Sequence, residues 1–345
     1  MKFSDFYSGK VILVTGGAGS IGSHLVKDLL QINPASVRIF DNNETGLFDL
    51  EQNLKSEKIR LLVGDVRDKE RLIVAMEDVD YVFHAAALKH VPLCEFNPYD
   101  AVKTNIIGTQ NVIEAAYIQG VKKVITISTD KAVSPSNVMG ATKLLAERLT
   151  ISANTYHGHK KTTFACVRFG NVLNSRGSVI PLFINQIEKG GPITVTHPAM
   201  CRFFMEISSA TNLILKAGIL SHGSEIFILK MNAMRIIDLA EEMRDYYAPL
   251  YGINPDDIAI EIIGMRNGEK LDEELIMVDE TSIIYESEDM YLITPKSLPF
   301  SVNPLSQSIP VGFHRATRNS YSSGDVKVIS KEEIKNEICK IGLSQ

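Results

Sequence analysis

The sequence ISTDKAVSPSNVMGATK, residues 127–143, contains several side chains that could take part in proton transfer and one that could not. Met139 lies four residues before Lys143, so on a helix the two side chains share one face. A thioether can neither accept nor give up a proton, and a reaction at this face therefore needs another acid–base group. Asp130 and Lys131 stand side by side in the same segment and could exchange protons. An exposed ion pair in a loop is the alternative interpretation of this pair.

The glycine-rich sequence TGGAGSIG, residues 15–22, is a second candidate site. Glycines are common in turns, but these follow an apolar strand, open a helix and precede an acidic residue, Asp41, by about 20 residues. That context predicts a dinucleotide-binding site. Gly16, Gly19 and Gly22 would let the backbone approach a pyrophosphate at the positive end of the helix.

Asp41 bears on which dinucleotide would bind. Its carboxylate can accept hydrogen bonds from a ribose diol and would repel a 2′-phosphate, which favours NAD over NADP. Asn42 and Asn43 beside it weaken this preference. Asp65 ends the predicted third strand and is placed to reach the adenine edge; alternatively, it is the N-cap of a helix over residues 68–76.

Small residues end the fourth predicted strand, directly after His84. Ala85, Ala86 and Ala87 would allow a cofactor to lie close to the backbone. Close packing of a helix against the strand is the competing interpretation.

Short β-rich runs that alternate with longer amphipathic runs must position these candidate groups. Predicted strands cover residues 11–15, 37–40, 60–64, 81–85, 123–129 and 162–169, and predicted helices cover residues 23–31, 68–76 and 104–117. Strands that alternate with helices predict an α/β fold with a doubly wound parallel sheet of the Rossmann type.

The pattern loosens into loops after about Asn171, although residues 224–230 again predict a strand. We therefore predict an NAD-binding domain over residues 1–170 and a smaller C-terminal substrate-binding domain over residues 171–345, from which about 200–230 returns to the sheet. The tail from about Leu298 is rich in Ser, Pro and Asn. Its weak periodicity predicts a segment that wraps the surface or is partly mobile.

Composition excludes several classes of protein. The 345 residues are 45% hydrophobic and carry a net charge of −5, with no basic tract for nucleic acid or anionic lipid. No signal peptide or membrane span is evident. The four cysteines are scattered without a C-x-x-C spacing, which argues against a disulfide framework or a zinc site. We expect a globular protein of the reducing cytoplasm, without a metal.

Several motifs together resemble those of the extended short-chain dehydrogenase/reductases. The general motifs are G-G-x-G-x-x-G, the Asp-Val after strand three, H-A-A-A, T-N-x-x-G-T-x-N at residues 104–111, and S-T-D-K-A followed by a lysine that opens a helix. Within that family the chain resembles the polysaccharide-biosynthesis branch that contains the UDP-N-acetylglucosamine 4,6-dehydratases. The matching segments are AAALKHVPLCEFNP, STDKAVSPSNVMGATK, VRFGNVLNSRGSVIPLF, ITVTHPAMCRFFM and GMRNGEKLDEEL, which extend the resemblance to about residue 295.

The resemblance implies a reaction without net redox change. NAD⁺ oxidises sugar C4 to a ketone, water is then eliminated across C5 and C6, and the hydride returns to C6, so the cofactor is regenerated in each turnover. The resemblance assigns Asp130 as the acid that protonates the C6 oxygen and Lys131 as the base at C5. It also implies a UDP-sugar substrate and a homo-oligomer.

Met139 departs from most of the superfamily, which has a tyrosine at this position that takes the proton from the oxidised hydroxyl. The branch of dehydratases described as retaining the C5 configuration resembles this chain in having methionine there. In that branch the Thr129 hydroxyl would bind the sugar 4-OH, and Asp130, or a water that it orients, would take the proton. Lys143 would hold the nicotinamide ribose. Core packing is the alternative role of Met139.

The resemblance assigns further residues to the two ligands. Those assigned to the cofactor are Gly16, Gly19, Ser20, Ile21, Gly22, Asp41, Asn42, Asp65, Val66, Ala85, Ala86, Ala87, Asn105 and Lys143. Those assigned to the substrate are Lys89, His90, Arg168, Asn171, Arg176, Ser178, Val179, Arg202, Arg266 and Glu269. Arginine forks suit a diphosphate, although each arginine taken alone could be a surface residue. Asn267 replaces a proline that is common in the motif G-x-R-P-G-E-K.

Two other functions remain open from the sequence. A nucleotide-sugar 4-epimerase could use the same scaffold, but it needs no acid at C6, so the Asp130–Lys131 pair argues against it. A catalytically silent dinucleotide-binding regulator is suggested only by Met139.

Overall fold

The computed structural model describes residues 2–155, 162–277, 282–295 and 309–342. The chain divides into two compact units. The first unit comprises residues 1–169, 208–230 and 278–319, and the second comprises residues 170–207, 231–277 and 320–345.

Seventeen strands lie within the described residues. They are β1 (Val11–Thr15), β2 (Ser36–Asp41), β3 (Ile59–Val63), β4 (Tyr81–His84), β5 (Lys123–Thr129), β6 (Thr163–Phe169), β7 (Asn171–Val172), β8 (Ile193–Val195), β9 (Cys201–Met205), β10 (Ile226–Leu229), β11 (Ala233–Arg235), β12 (Ile260–Ile262), β13 (Glu274–Ile276), β14 (Ser282–Glu286), β15 (Met290–Pro295), β16 (His314–Arg315) and β17 (Tyr321–Ser322).

Twelve α-helices lie in the same ranges. They are α1 (Ser4–Tyr7), α2 (Ser20–Gln31), α3 (Glu44–Leu54), α4 (Lys69–Ala75), α5 (Val91–Phe96), α6 (Pro98–Ala101), α7 (Gly108–Gln119), α8 (Val138–Ser152), α9 (Val179–Glu188), α10 (Ile207–Leu220), α11 (Ile236–Tyr247) and α12 (Lys331–Gly342). A π-helical segment, Val102–Ile107, precedes α7. Short 3₁₀ turns cover Asp130–Ala132, Ala153–Thr155, Ala248–Tyr251 and Pro255–Asp257.

A sheet of ten strands forms the centre of the first unit, in the order β16-β14-β15-β10-β6-β5-β4-β1-β2-β3. The seven strands from β10 to β3 are parallel, and β15, β14 and β16 extend the sheet with antiparallel pairs. The order reverses between β1 and β4, so the loops that follow these strands diverge there. In doubly wound folds this switch point is where ligands bind.

The central strands are largely apolar because helices cover both faces of a parallel sheet. In β1 the side chains of Ile12, Leu13 and Val14 are fully buried. Helix α2 contributes Leu25 and Leu29, which are also fully buried and one turn apart on one face of the helix. The packing fixes the strand ends, and with them the loops that carry the candidate groups.

The described residues of the second unit form small sheets and the α-helices α9, α11 and α12. Strands β11, β9 and β7 form one sheet, while β12 pairs with β8 and β13 pairs with β17. Helices α9, α11 and α12 pack around one apolar core, to which each contributes fully or almost fully buried side chains: Phe183, Ile187, Leu239, Met243, Ile334 and Ile338.

The predicted fold class is confirmed, and the predicted strands agree with the observed ones to within two residues at each end. The helix predicted from Thr104 begins instead as the π-helical segment. Strand β10 returns to the large sheet, but β9, in the range 200–230, joins the three-stranded sheet. Strands β14 and β15, which the sequence analysis assigned to the substrate domain, pair in the large sheet because a strand pattern does not specify its partner.

The second half of the chain holds more helix than the sequence analysis predicted. Helices α9, α10 and α11 occupy regions interpreted as loops, and α12 lies in the tail that was predicted to wrap the surface or to be partly mobile. Among the side chains of helix α12 that the structure describes, Ile334 and Ile338 are buried in the core of the second unit. Residues 298–308 of that tail lie outside the described residues. No helix in the described part of the chain combines the length and apolar character needed to cross a bilayer.

Candidate active site

The glycine loop lies against the end of β4. Gly16 has a φ of +69°, and a Cβ atom there would lie 2.5 Å from the backbone nitrogen of Ala86 and 2.7 Å from the carbonyl carbon of Ala85. Only glycine fits both this conformation and this approach. Gly22 is equally constrained, because its Cβ would collide with the Gly16 carbonyl oxygen. The predicted loop and the predicted alanines are therefore neighbours.

Helix α2 begins directly after this loop. Gly19 is its N-cap residue, and Ser20 and Ile21 are its first helical residues. A Cβ at Gly19 would meet only the Gly16 carbonyl oxygen within 4 Å, which leaves open space on that side. The helix terminus can therefore accept an anionic group such as a pyrophosphate.

Asp41, the last residue of β2, is oriented by the backbone. Its Oδ2 accepts a hydrogen bond from the Ala18 N–H at 2.9 Å, and its Oδ1 accepts one from the Asn43 N–H at 2.9 Å. Each carboxylate oxygen keeps further acceptor capacity, so the group can also bind a diol. Asn42 is exposed beside it, and its amide donates to Asp65 at 3.3 Å.

Asp65 is not a helix N-cap. Asp68 caps α4, whereas Asp65 binds Arg67, whose Nη2 lies 2.6 Å from Oδ2. Hydrogen bonds from Arg67 lower the pKa of Asp65 despite its partial burial. Val66, which follows, is buried against α7, where a side chain on Gly108 would collide with it.

His84 belongs to a buried polar chain at the end of β4. The Thr109 hydroxyl donates to the Asn105 carbonyl at 2.7 Å, so it accepts from His84 Nε2 at 3.1 Å. His84 Nδ1 then accepts from the Thr15 hydroxyl at 2.7 Å, which assigns the neutral Nε2–H tautomer. Burial and the nearby Lys143 lower the pKa of His84 to about 3. This histidine is a structural group of the strand end.

Asn105 ties the loop after β4 to helix α8. Its side chain, 1% exposed, accepts from the Leu88 N–H at 2.8 Å and donates to the Leu88 carbonyl at 3.0 Å and the Thr142 hydroxyl at 2.9 Å. The π-helical segment supplies this residue, and such segments are frequent at functional sites. Asn105 thus has a positioning role next to Lys143.

Thr129, Asp130 and Lys131 form a compact array at the end of β5. The Thr129 hydroxyl donates to Asp130 Oδ1 at 2.5 Å, and Lys131 Nζ lies 3.2 Å from each oxygen of the same carboxylate. The Asp130 side chain is 1% exposed and that of Lys131 is 30% exposed. A Cβ at Gly140 would collide with the Lys131 carbonyl, so that glycine lets α8 approach the turn. The exposed-loop interpretation of the pair is wrong for Asp130.

Helix α8 turns Met139 and Lys143 toward the sheet, as their spacing predicts. Lys143 is buried, and its Nζ donates to the Ile127 carbonyl of β5 at 2.6 Å. Burial lowers the pKa of this lysine. Met139 is 3% exposed and packs in a small apolar cluster with Cys94 and Ala101. Its packing role is therefore evident, and its side chain offers no proton.

Two arginines assigned to the substrate are bound elsewhere. Arg168 forms a bidentate ion pair with Glu147, at 2.9 Å from Nε and 2.5 Å from Nη2, and both side chains are buried. In the second unit, the Arg202 guanidinium binds Glu273 at 3.0 Å and the carbonyls of Cys201, Leu271 and Lys270. We correct the expectation for both residues, because buried guanidinium groups that are already bound within the chain present no open fork to a diphosphate.

The remaining residues assigned to the substrate are more accessible. Lys89 and His90 follow β4, and both are exposed. Partial loss of hydration and the positive charge of Lys89 lower the pKa of His90. In the second unit, Arg176 and Arg266 are exposed, and Glu269 accepts from the Arg266 N–H at 2.9 Å in a turn. Gly268 has a φ of +79° in that turn, and it follows Asn267, which stands where the motif commonly has proline.

Three further residues assigned to the substrate lie before helix α9 or at its start, in the second unit. Asn171 begins β7, Ser178 is the N-cap residue of α9, and Val179 is the first residue of that helix. The Ser178 hydroxyl is buried and makes no hydrogen bond within the described residues.

Sequence reasoning did not identify Glu147, Gly140 or Thr142, which support the site. The signal for Glu147 was available, because it lies four residues after Lys143 and repeats a charged residue on the buried face of α8. Gly140 and Thr142 carry no such pattern.

Residues 12–295 match the protein family described as "Polysaccharide biosynthesis protein". A protein of Methanocaldococcus jannaschii named "Uncharacterized membrane protein" is 58% identical, over 98% of each chain. The "UDP-N-acetylglucosamine 4,6-dehydratase (inverting)" of Campylobacter jejuni is 42% identical over 91% of this chain and 94% of its own. A "UDP-glucose 4-epimerase" of Rickettsia bellii is 39% identical over 97% of each chain.

Among solved structures, the "X-ray structure of Pen from Bacillus thuringiensis" is similar, with a TM-score of 0.89 and 45% identity over 97% of this chain and 98% of that chain. Sequence motifs, family match and fold agree. The chain belongs to the polysaccharide biosynthesis protein family of extended short-chain dehydrogenase/reductases.

Proposed function

We propose that the protein is an NAD-dependent lyase that dehydrates UDP-N-acetylglucosamine to the UDP-4-keto-6-deoxy sugar. The observation that carries this proposal is the array at the end of β5. Partly exposed Thr129 donates to buried Asp130, and Lys131 contacts both oxygens of that carboxylate. One acid, one base and one hydroxyl at a single point are what an elimination needs.

The first unit supplies the groups that would hold the dinucleotide. The N-terminus of α2 would bind its pyrophosphate, Asp41 its adenosine ribose, and Lys143 its nicotinamide ribose. When bound, the nicotinamide would take a hydride from sugar C4 and return it to C6. The space beside Gly19 and the small residues after β4 fit such a ligand.

The proton movements can then be assigned to this chain's own groups. Thr129 would pass the proton of the 4-hydroxyl to Asp130, since its own hydroxyl already donates to that carboxylate. Asp130 would then protonate the C6 oxygen, which leaves as water. Lys131 would remove the C5 proton and later return one to C5. The proton lost from O4 ends in the water, so the reaction balances.

A single experiment tests the proposed reaction against epimerisation. The purified protein is incubated with UDP-N-acetylglucosamine, and the nucleotide sugar is analysed by mass. Loss of one water supports dehydration, whereas an unchanged mass with altered chromatography supports the 4-epimerase named among the relatives. If the nucleotide sugar is unchanged in both mass and chromatography, the catalytically silent regulator is the remaining function.

We expect the product to retain the configuration at C5. One lysine, Lys131, would remove and return the C5 proton, so both events occur on one face of the sugar. The relative of Campylobacter jejuni carries the word "inverting" in its name, so the two outcomes differ. Proton NMR coupling constants of the fresh product distinguish them, and an inverted C5 centre would contradict the role of Lys131 as the single base.

We also expect the purified protein to carry NAD. Asp41 is oriented by the Ala18 and Asn43 N–H groups and would repel a 2′-phosphate, and a cofactor regenerated in each turnover need not leave. Extraction and chromatography of the bound nucleotide measure this. Asp41→Asn is the matched variant and should bind NADP more tightly than the parent does. Predominantly NADP in the parent would refute the role of Asp41.

A further inference from the structure

Glu147 is a buried carboxylate on helix α8, one turn after Lys143. Its side chain is 1% exposed, and Arg168 of β6 holds both of its oxygens, at 2.9 and 2.5 Å. Burial alone would lower the pKa of Arg168, but Glu147 raises it, so the arginine stays charged. The bidentate pair fixes the carboxylate relative to the sheet.

The groups that face Lys143 differ in charge. They come from three elements: Glu147 on its own helix, Cys166 on β6 and His84 on β4. Arg168, two residues after Cys166 on β6, is positively charged and is paired with Glu147. Burial raises the pKa of the Cys166 thiol and lowers the pKa of His84 to about 3, so both are neutral at neutral pH. Met139, one turn before Lys143, has no ionisable group. Of these groups, Glu147 therefore supplies the negative charge.

We propose that Glu147 is a positioning residue of the site: held by Arg168, it supplies the charge that keeps the buried Lys143 ammonium protonated and bound to the Ile127 carbonyl. The inference rests on the proposed function, since it assigns Lys143 to the dinucleotide. It explains why a helix that packs on the sheet carries an acidic residue on its buried face. Glu147 would act through Lys143 without touching the sugar.

The pH dependence of dinucleotide binding follows from this role. Lys143 donates hydrogen bonds as an ammonium group, so affinity is lost as the pH rises through its pKa. Removing the neighbouring negative charge lowers that pKa further, and the loss then begins at lower pH. Since a nearby opposite charge shifts a pKa by about 1–3 units, we expect Glu147→Gln to move the alkaline loss of affinity by about one unit or more.

The experiment is a fluorescence titration of the dinucleotide-free protein with NADH, without substrate, from about pH 6 to 10, a range that lies below the ordinary lysine pKa. Glu147→Gln keeps the size of the side chain and removes its charge. Glu147→Asp is the matched control, because it keeps the charge but shortens the side chain. Glu147→Gln combined with Arg168→Met removes both charges and leaves no unpaired arginine, should the single variant fail to fold. Thermal unfolding reports the stability of each protein.

The proposal expects the loss of affinity at alkaline pH to follow the charge at position 147. Glu147→Asp should behave like the parent, and Glu147→Gln should lose affinity at lower pH, with about tenfold weaker binding where the parent still binds. The double variant should shift in the same direction by a smaller amount, because it also removes the positive charge of Arg168. Profiles of the same shape in all proteins, with changes only in thermal unfolding, would overturn it and leave a structural ion pair. A parent that binds NADH but does not dehydrate the sugar overturns only the proposed reaction. A parent that binds no dinucleotide overturns both.

Discussion

Asp130→Asn and Lys131→Ala are each expected to lower the turnover of UDP-N-acetylglucosamine by a factor of about 10² or more, because each removes a positioned acid–base group. The asparagine still accepts from the Thr129 hydroxyl but cannot deliver a proton to the C6 oxygen. The alanine removes the amino group that lies 3.2 Å from both Asp130 oxygens. Steady-state rates measure both effects, and bound dinucleotide should remain, because neither side chain is assigned to it.

The opposite end of β5 supplies a matched control for this prediction. Lys122, just before that strand, forms an exposed ion pair with Asp80 at 2.7 Å. Lys122→Ala removes the same kind of group at the other end of the strand from the Thr129–Lys131 turn, and should change turnover little because exposed ion pairs contribute little. Near-normal turnover in Asp130→Asn or Lys131→Ala would remove that residue from the mechanism.

The parallel sheet and the dinucleotide loop could be predicted from the sequence because their physics is local. Gly16 and Gly22 are required by a turn and by close backbone approach, and the apolar runs of β1 and β5 follow from burial on both faces. The array Thr129–Lys131 was also predicted, because adjacent residues at a strand end stay adjacent in any fold.

The roles of the arginines could not be predicted in the same way. Arg168 and Glu147 are 21 residues apart, and only the packing of α8 on β6 brings them together. Arg202 and Glu273 are likewise joined by tertiary structure alone. An arginine guanidinium group can bind a buried carboxylate as well as it can bind a diphosphate. The residue type alone therefore did not distinguish the two uses.

The pattern of apolar residues was a weak guide in the second unit for a related reason. Helix α12 buries Ile334 and Ile338, one turn apart, and its first turn is acidic. The isoleucines at 334, 338 and 341 do recur at helical spacing, but the Ser-, Pro- and Asn-rich composition of the tail as a whole concealed this short pattern. The helix is stabilised by the core it joins, which the local sequence does not contain.

Thr129→Val is expected to slow the first oxidation by a factor of about 10 to 10², because it deletes the hydroxyl that donates to Asp130 and that the proposed mechanism uses to relay the proton of the sugar. Valine keeps the shape of threonine, so the effect isolates the hydroxyl. The measurement is the transient absorbance of reduced dinucleotide after enzyme and substrate are mixed. Thr163→Val, at the half-buried start of the neighbouring strand β6, is the control and should oxidise at the parent rate. A Thr129→Val protein as fast as the parent would exclude the hydroxyl from the oxidation.

Met139→Tyr in the same assay tests whether the site works without a phenol. The thioether is 3% exposed and packs against Cys94 and Ala101, so a larger ring must overpack that cluster. If Thr129 and Asp130 already carry the proton, the tyrosine has no proton transfer to restore, and the oxidation should be no faster than in the parent. A much faster oxidation would mean that the parent site is defective for lack of a phenol. In that case the silent dinucleotide-binding regulator would replace the dehydratase as the function of this chain.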